Sequence, residues 1–398
     1  MRFWSRPKWK PWLFGAKAKN LPVLSRNDDE MARDCVSVKS FHANAFPRRF
    51  PSGAVPENLS AILADVNRFL VKSRREWDIH KISRLYAGEY YSVESTRELC
   101  FEKCWVHLPS GTIVSSAKEI IAGSTVALGC FYRGHSRVDW QDAPWIEDEC
   151  FFAGTCWGSN YAHWLFDSLP RLSYHVRPDA YPKLLLGNKT SDFQLQSLAC
   201  LGWSRESLLS PEMELVRCRR LHVHMVSEAS GVPHPECICN IRERLIESAG
   251  GTNSAPGIKR VYISRQKTRR KIVNHIEIEP VLRKYGFEEV FCEELSYQEQ
   301  VRLFSRAEAV FGPHGAGTVN AMFAPKGAVL IEAFNPLVWD HAAHRLASLF
   351  GVSHYHLFGE NASPEYDVRI NPRTLDRTLA LALDHAAFVS PELIEEKF

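Results

Sequence analysis

Two places in the chain gather side chains that can move a proton or hold an anion. The first reads Gly158-Ser159-Asn160-Tyr161-Ala162-His163-Trp164-Leu165-Phe166-Asp167. Asn160 is suited to cap a helix running through Leu169. On that helix His163 and Asp167 stand four residues apart and share a face, while Leu165, Phe166 and Leu169 fall on the opposite side. A carboxylate that holds an imidazole sets its tautomer and raises its basicity, so His163 is a candidate to take a proton from a hydroxyl. A purely structural His–Asp contact, or an Asp167–Arg171 pair, is the competing reading. The second place is Gly312-Pro313-His314-Gly315-Ala316-Gly317-Thr318, a glycine-rich turn leading from a strand into a helix. Such a turn offers backbone N–H groups and the positive end of a helix dipole to an anion. Gly315 and Gly317 lack the Cβ atoms that would hold a phosphate off, and Thr318 adds a hydroxyl. The pattern is neither a Walker loop nor the dinucleotide fingerprint, and a tight turn without a ligand is the alternative.

The elements around these places alternate. Val261–Ser264, Glu289–Cys292, Ala309–Gly312 and Ala328–Ala333 read as strands. Between them lie a helix opened by Ser296 and Glu299 as a capping box, with Val301, Leu303 and Phe304 on its buried side, and a helix over Val319–Ala324. This alternation predicts βαβ units and a parallel sheet, whose ligands sit beyond the carboxyl ends of the strands. Upstream, strands are expected at Glu98–His107, Thr112–Ser115, Thr125–Leu128, Cys150–Ala153, Lys183–Gly187 and Leu221–Val226. Helices are expected at Leu59–Val71, Asp192–Leu201 and Glu236–Ala249, the last with Ile238, Ile241 and Leu245 inward. Asp139–Glu149, acidic and Trp-rich, reads as a surface loop. Downstream come a helix over Trp339–Phe350, a strand over Ser353–Phe358 and a final helix over Leu375–Phe388. The Gly-, Ser-, Asn- and Pro-rich stretch 250–257 is the best linker. The expected plan is an irregular segment 1–58, a domain 59–250, a second domain 251–365, and a closing segment 366–398 whose helix packs back across both.

A chain of 398 residues is long enough for two domains. With 45% hydrophobic and 24% charged residues it has the composition of a soluble globular protein. A net charge of +3 gives no footing for nucleic-acid binding. No apolar run reaches membrane-spanning length and no signal-peptide core opens the chain, so a soluble or peripheral protein is expected. The 11 cysteines show no metal-ligand spacing and read as reduced, mostly buried thiols. His341/His344 and His354/His356 read as helix or strand surface positions. Residues 1–19 interleave Arg2, Arg6, Lys8, Lys10, Lys17 and Lys19 with Phe3, Trp4, Trp9, Trp12 and Phe14. That mixture suits an anionic membrane interface, at about 1 kcal/mol per cation, or is a solvated tail.

Three stretches in order, GSNYAHWLFDSLPRL, ISRQKTRRKIVN and FGPHGAGTVNAMFAPKGAVLIEAF, resemble glycosyltransferase family 61 over about Phe151–Pro336. The resemblance implies an α/β, GT-B-like architecture: two Rossmann-like domains facing a cleft, the C-terminal one holding a nucleotide sugar. It implies inverting transfer without an obligatory metal, and the sequence has no clear DxD motif. Arg265, Arg270 and Lys271 would then hold the donor diphosphate, although the run Lys267–Lys271 read alone is a solvated loop. Asn274 would fix that loop, and His314, Gly315, Ala316, Gly317 and Thr318 would complete the phosphate cradle. Glu332 would accept hydrogen bonds from ribose hydroxyls, unless it is a buried acid satisfied by backbone. His163 and Asp167 match the family's His-x-x-x-Asp helix; His163 is preferred as the base and Asp167 as its orienting partner, with the opposite assignment open, and Asn160 and Arg171 would stand on the acceptor side. The donor implied is a UDP-sugar and the acceptor a glycan or lipid-linked glycan in capsular polysaccharide synthesis. That places the chain in the cytoplasm, with residues 1–19 at the inner membrane face. A sugar-nucleotide epimerase and a non-catalytic nucleotide- or glycan-binding protein are the alternatives.

Overall fold

The computed structural model describes residues 23–24, 35–41, 96–117, 120–121, 142–174, 176–187, 190–225, 233–251, 258–338 and 342–388. These fall into two compact units, one ending at Ser248 and the other beginning at Ala249. The expected helix Leu59–Val71, the strand Thr125–Leu128 and the basic aromatic segment 1–19 lie outside the described residues, as does the expected start of the helix at 339–341. Among the described residues no helix is long and apolar enough to cross a membrane.

The first unit is built on one mixed sheet. Its strands are β1 (Val23–Leu24), β2 (Cys35–Phe41), β3 (Thr96–His107), β4 (Thr112–Val114), β5 (Ile120–Ile121), β6 (Trp145–Phe152), β7 (Lys183–Leu185), β8 (Leu208–Leu209) and β9 (Leu215–Met225). The order is β1-β5-β4-β3-β9-β6-β7-β8, with β2 also on β3. β3 runs antiparallel to β9, whereas β9, β6, β7 and β8 pair in parallel. Leu99, Phe101 and Val106 of β3, Phe152 of β6, and Val216, Leu221 and Val223 of β9 make its core. The described cysteines are thiols, six of them buried; Cys104, Cys150 and Cys218 belong to this core.

The acidic stretch expected to be a surface loop is strand from Trp145 onward. Its partner explains why. β9 brings Arg217, Arg219 and Arg220 alongside: Arg219 pairs with Glu147 at 2.5 Å, Arg220 with Glu149 at 3.4 Å, and the Arg217 guanidinium lies 5.3 Å from the Trp145 ring. Opposite charges on neighbouring strands favour pairing, and that complement lies about seventy residues away.

The second unit is a wholly parallel sheet of β10 (Arg260–Ile263), β11 (Glu288–Val290), β12 (Ala309–Pro313), β13 (Val329–Phe334) and β14 (Ser353–Phe358), in the order β11-β10-β12-β13-β14. The helices His275–Lys284, Tyr297–Phe304 and Ala342–Leu349 and the 3-10 helix Ala316–Phe323 connect them. The capping box is formed: Ser296 N–H donates to Glu299 Oε2 at 2.8 Å, and Glu299 N–H donates back to Ser296 Oγ at 3.3 Å. The strand expected to reach Cys292 stops at Val290, where a 3-10 turn, Cys292–Glu294, takes over. The final helix, Pro372–Phe388, buries Leu375, Leu379 and Ala382 in one core with Tyr262, Phe311 and Ile331. Its apolar stripe thus contributes to the second unit's own core.

Chain direction sets the position of the site. From β10 the chain steps outward to β11 and then returns to β12 on the other side of β10. The connections after β10 and β12 therefore diverge, and a doubly wound sheet opens its ligand crevice at such a reversal. Arg265 follows β10 and His314–Thr318 follow β12.

Candidate active site

In the first unit a turn after β6 delivers the His–Asp pair. Gly158 N–H donates to Thr155 O, and Gln194 Nε2 holds the Gly158 carbonyl at 3.0 Å. Asn160 Oδ1 accepts from Ala162 N–H at 2.9 Å and His163 N–H at 3.4 Å, which caps the helix start. The helix is not the uniform α-helix expected. One α turn, Tyr161–His163, passes into a π-helical stretch, Trp164–Ser168, and then into a 3-10 turn, Leu169–Leu172. Pro170 has no N–H to give back to the preceding turn, so an α-helical ladder cannot continue through it. Leu165, Phe166 and Leu169 are buried.

His163 Nδ1 lies 3.0 Å from Asp167 Oδ2; the imidazole is 32% exposed and the carboxylate has no exposure. With Nδ1–H donated to the carboxylate, the basic lone pair sits on Nε2. The Trp157 ring, 5.0 Å from the imidazole centroid, walls one side. Arg171 is buried and its Nε donates to the Asp167 carbonyl at 3.3 Å. Burial draws its pKa down to about 10, against the pull of Asp167. This side chain, expected on the acceptor side, is thus buried and tied to the backbone of Asp167. The Asn160 side-chain oxygen is likewise engaged as a helix cap.

In the second unit, Arg265 lies across the glycine-rich turn. A Cβ on Gly315 would stand 2.0 Å from Arg265 Nη1, and one on Gly317 would stand 3.1 Å from Ile263 Cγ2. Gly315 has φ of 164°, which is extended backbone, so space and not conformation demands glycine. The missing Cβ atoms make room first for Arg265 and Ile263, where the sequence suggested room for a phosphate.

Arg265 Nε donates to the Arg269 carbonyl at 3.0 Å. Its pKa falls to about 10, first through burial and then through the like charges of Arg270 and Arg269, with Glu293 opposing. A partly buried cation pressed by other cations is stabilised by an arriving anion. Arg270 itself takes φ of 64°, uncommon for a side-chain-bearing residue. Lys267 is held by Glu294 and sits over the Phe291 ring, 4.0 Å away. Lys271 N–H donates to Asp367 Oδ1 at 3.0 Å.

The whole loop is tied to the segment after β14. Val368 N–H donates to Lys271 O and Val273 N–H to Val368 O. Asn274 grips the Ile370 backbone both ways, accepting from its N–H at 3.0 Å and donating to its carbonyl at 2.7 Å.

Glu332 stands behind the turn. His314 Nδ1 lies 2.8 Å from Oε1, Thr318 Oγ1 donates to the same oxygen at 2.7 Å, and His354 Nε2 lies 3.0 Å from Oε2. Burial alone would raise the carboxyl, yet His314 and His354 bring it down to about 2. With no exposed surface, it cannot receive ribose hydroxyls. His354, expected at a strand surface, is buried as its partner. Sequence reasoning also passed over Trp157 and Asp367; the first lies inside the GSNYAH neighbourhood, but nothing local marks the second. Among the described residues no group of three or more His, Cys, Asp and Glu is arranged to hold a metal ion.

A stretch of 103 residues is 34% identical to Protein O-linked-mannose beta-1,4-N-acetylglucosaminyltransferase 2 of Bos taurus, covering 24% of this chain and 17% of that protein. The match thus spans about a sixth of that relative's length. The Glycosyltransferase 61 family model matches residues 161–331, a span that includes His163, Asp167, Arg265, Asn274 and the His314–Thr318 turn. The chain carries a Glycosyltransferase 61 domain across residues 161–331.

Proposed function

We propose that this chain is an inverting, metal-independent glycosyltransferase that moves a sugar from a UDP-sugar to a glycan hydroxyl. The observation that carries this reading is the Arg265 guanidinium at the β10/β12 reversal, laid over Gly315 and pressed by Arg269 and Arg270. Charge builds on the diphosphate as the glycosidic bond breaks, and fixed cations and backbone N–H groups stabilise it. Arg265, Arg270, Lys271 and the turn His314–Thr318 are assigned that task. In the first unit, His163 is assigned the proton of the acceptor hydroxyl, with Asp167 holding the imidazole in the reactive tautomer. The parallel sheet of the second unit and the parallel half of the first support a GT-B assignment.

The acceptor is a glycan. A cell-surface polysaccharide, built at the inner membrane face, is the setting proposed from the family resemblance. The relative's printed name favours a second reading, an O-mannosyl acceptor with an N-acetylglucosamine donor. Thermal-shift measurements against UDP-, GDP- and CMP-sugars test the donor assignment, because a ligand bound only by the folded state raises its stability. Stabilisation by a nucleotide sugar, lost in Arg265→Ala, is expected. An equal shift in that variant would remove the diphosphate assignment, and sugar turnover without an acceptor to yield an epimer would favour an epimerase.

A further inference from the structure

The surface around His163 carries aromatic rings that the proposed proton transfer does not use. Trp157 lies four residues ahead of the family-matched span, which begins at Tyr161. Its indole is half-buried, with its centroid 5.0 Å from that of the His163 imidazole and the two planes inclined at 42°. Its backbone is fixed, because Asn160 N–H donates to the Trp157 carbonyl at 2.8 Å. A second pair stands at the same helix start: the half-buried rings of Tyr161 and Phe193 meet edge to face at 5.4 Å. Phe193 belongs to the helix Asp192–Cys200, and two bonds tie that helix to this segment. Gln194 Nε2 donates to the Gly158 carbonyl at 3.0 Å, and Trp164 Nε1 donates to Ser197 Oγ at 2.8 Å. Between Trp157 and Tyr161 the chain exposes Ser159 and Asn160. The helix cap occupies Asn160 Oδ1, which leaves the Nδ2 amide and the Ser159 hydroxyl to meet other hydroxyls.

Partly exposed aromatic rings beside small polar groups suit a pyranose. A sugar ring carries hydroxyls around its rim and C–H bonds on its faces. Those C–H bonds are slightly positive and meet the negative face of an aromatic π-system. A tryptophan makes that contact with few side-chain torsions to fix, so little entropy is lost on binding. We propose that Trp157 is a stacking platform for the acceptor sugar. Tyr161 and Phe193 border it, and Asn160 Nδ2 and Ser159 Oγ bind the sugar's hydroxyls. This rests on the reading of His163 above and adds the substrate class at that position. The sugar is a pyranose with an unbroken apolar face, as in a β-glucoside, whose ring C–H bonds are all axial. Trp157 sets affinity and specificity for that sugar and takes no part in moving the proton.

The test is titration of methyl β-glucoside into the full chain, followed by saturation-transfer NMR of the sugar's protons. Xylitol, a polyol without an apolar face, is the control. Wild type, Trp157→Leu, Trp157→Phe and Phe193→Leu are compared, with a thermal melt of each. Wild type should bind the glucoside, with saturation strongest at the C–H protons of one face. Trp157→Leu, which keeps apolar bulk and loses the π face, should bind it about tenfold more weakly. Trp157→Phe should retain most of the affinity, and Phe193→Leu should lose less than Trp157→Leu. Equal affinity in Trp157→Leu and wild type overturns the inference, as does no glucoside binding by wild type or xylitol binding of the same strength. An equal loss in Trp157→Phe and Trp157→Leu, with lowered melting temperatures, also overturns it, because that marks a tryptophan that only packs against the imidazole. If the glucoside binds through Trp157 while Asp167→Asn leaves kcat unchanged, the proton assignment falls and this inference stands.

Discussion

The α-carbon of Gly315 faces the guanidinium of Arg265 so closely that a single methyl group there would lie 2.0 Å from Nη1. No carbon and nitrogen approach that near without bonding, so Arg265 must leave its place if residue 315 gains a side chain. Gly315→Ala should therefore act on donor binding through Arg265. Its nucleotide affinity should fall about as far as that of Arg265→Ala, roughly tenfold or more for a lost charge-assisted phosphate contact. The double variant should be no worse than either single one. Calorimetric titration of the nucleotide checks this, and additive losses would show that the two residues act separately.

The His163–Asp167 pair makes a different prediction, on rate. Asp167→Asn keeps the shape of the side chain but presents an amide where a carboxylate accepted the Nδ1 proton. The reactive tautomer of His163 loses its support, and kcat should fall by about 100-fold or more. Binding of the nucleotide-sugar donor should be unchanged, since the pair is assigned to the acceptor proton and not to the diphosphate. Steady-state kinetics with donor-binding measurements separate the two effects.

Alkaline stability should depend on His222. Burial alone would lower its pKa, but Cys100 at 3.6 Å, Glu98 at 3.1 Å and Glu149 at 2.7 Å raise it to about 10. A histidine whose folded pKa exceeds its ordinary value of 6.5 contributes stability that is complete below 6.5 and is lost as pH rises towards about 10. Urea unfolding across that window should show the decline in wild type. His222→Gln should be less stable at the lower end and show a flatter slope.

Acid stability should depend on His356 with the opposite sign. This imidazole packs against His354 and Phe334, with ring centroids 4.4 and 5.2 Å away, and burial lowers its pKa to about 3. The unfolded chain takes up a proton near 6.5 that the folded chain refuses, so stability falls with pH from there down to about 3. Glu332 adds its own loss only between 4.5 and about 2. His356→Leu should flatten the slope between about pH 6.5 and 4.5 while the steeper loss below remains. An unchanged slope would show that another group governs that window.

The sequence made the second unit legible because its signals are local. The capping box at Ser296 and Glu299 lies within four residues, and the apolar runs of β12 and β13 are bounded by glycine and proline. What it did not show depends on distant partners. Trp145–Glu149 looked like a loop because the arginines that pair with it lie on β9. Glu332 looked like a ligand acceptor because its donors His314 and His354 lie eighteen and twenty-two residues away in either direction. In the first unit the His–Asp spacing survived although the helix changed from α to π to 3-10, because His163 and Asp167 remain one turn apart across the junction.

The ties between the Arg265–Asn274 loop and the stretch Asp367–Ile370 reach across 96 positions of sequence. A fragment trimmed to the family span, 161–331, would retain every arginine of the cationic loop. It would lack the carboxylate and backbone groups that hold those arginines in register, as well as Glu332, which anchors the opposite turn. Such a minimal piece would carry the right residues in the wrong places, so the working unit of this chain extends well past the last residue by which its ancestry is recognised.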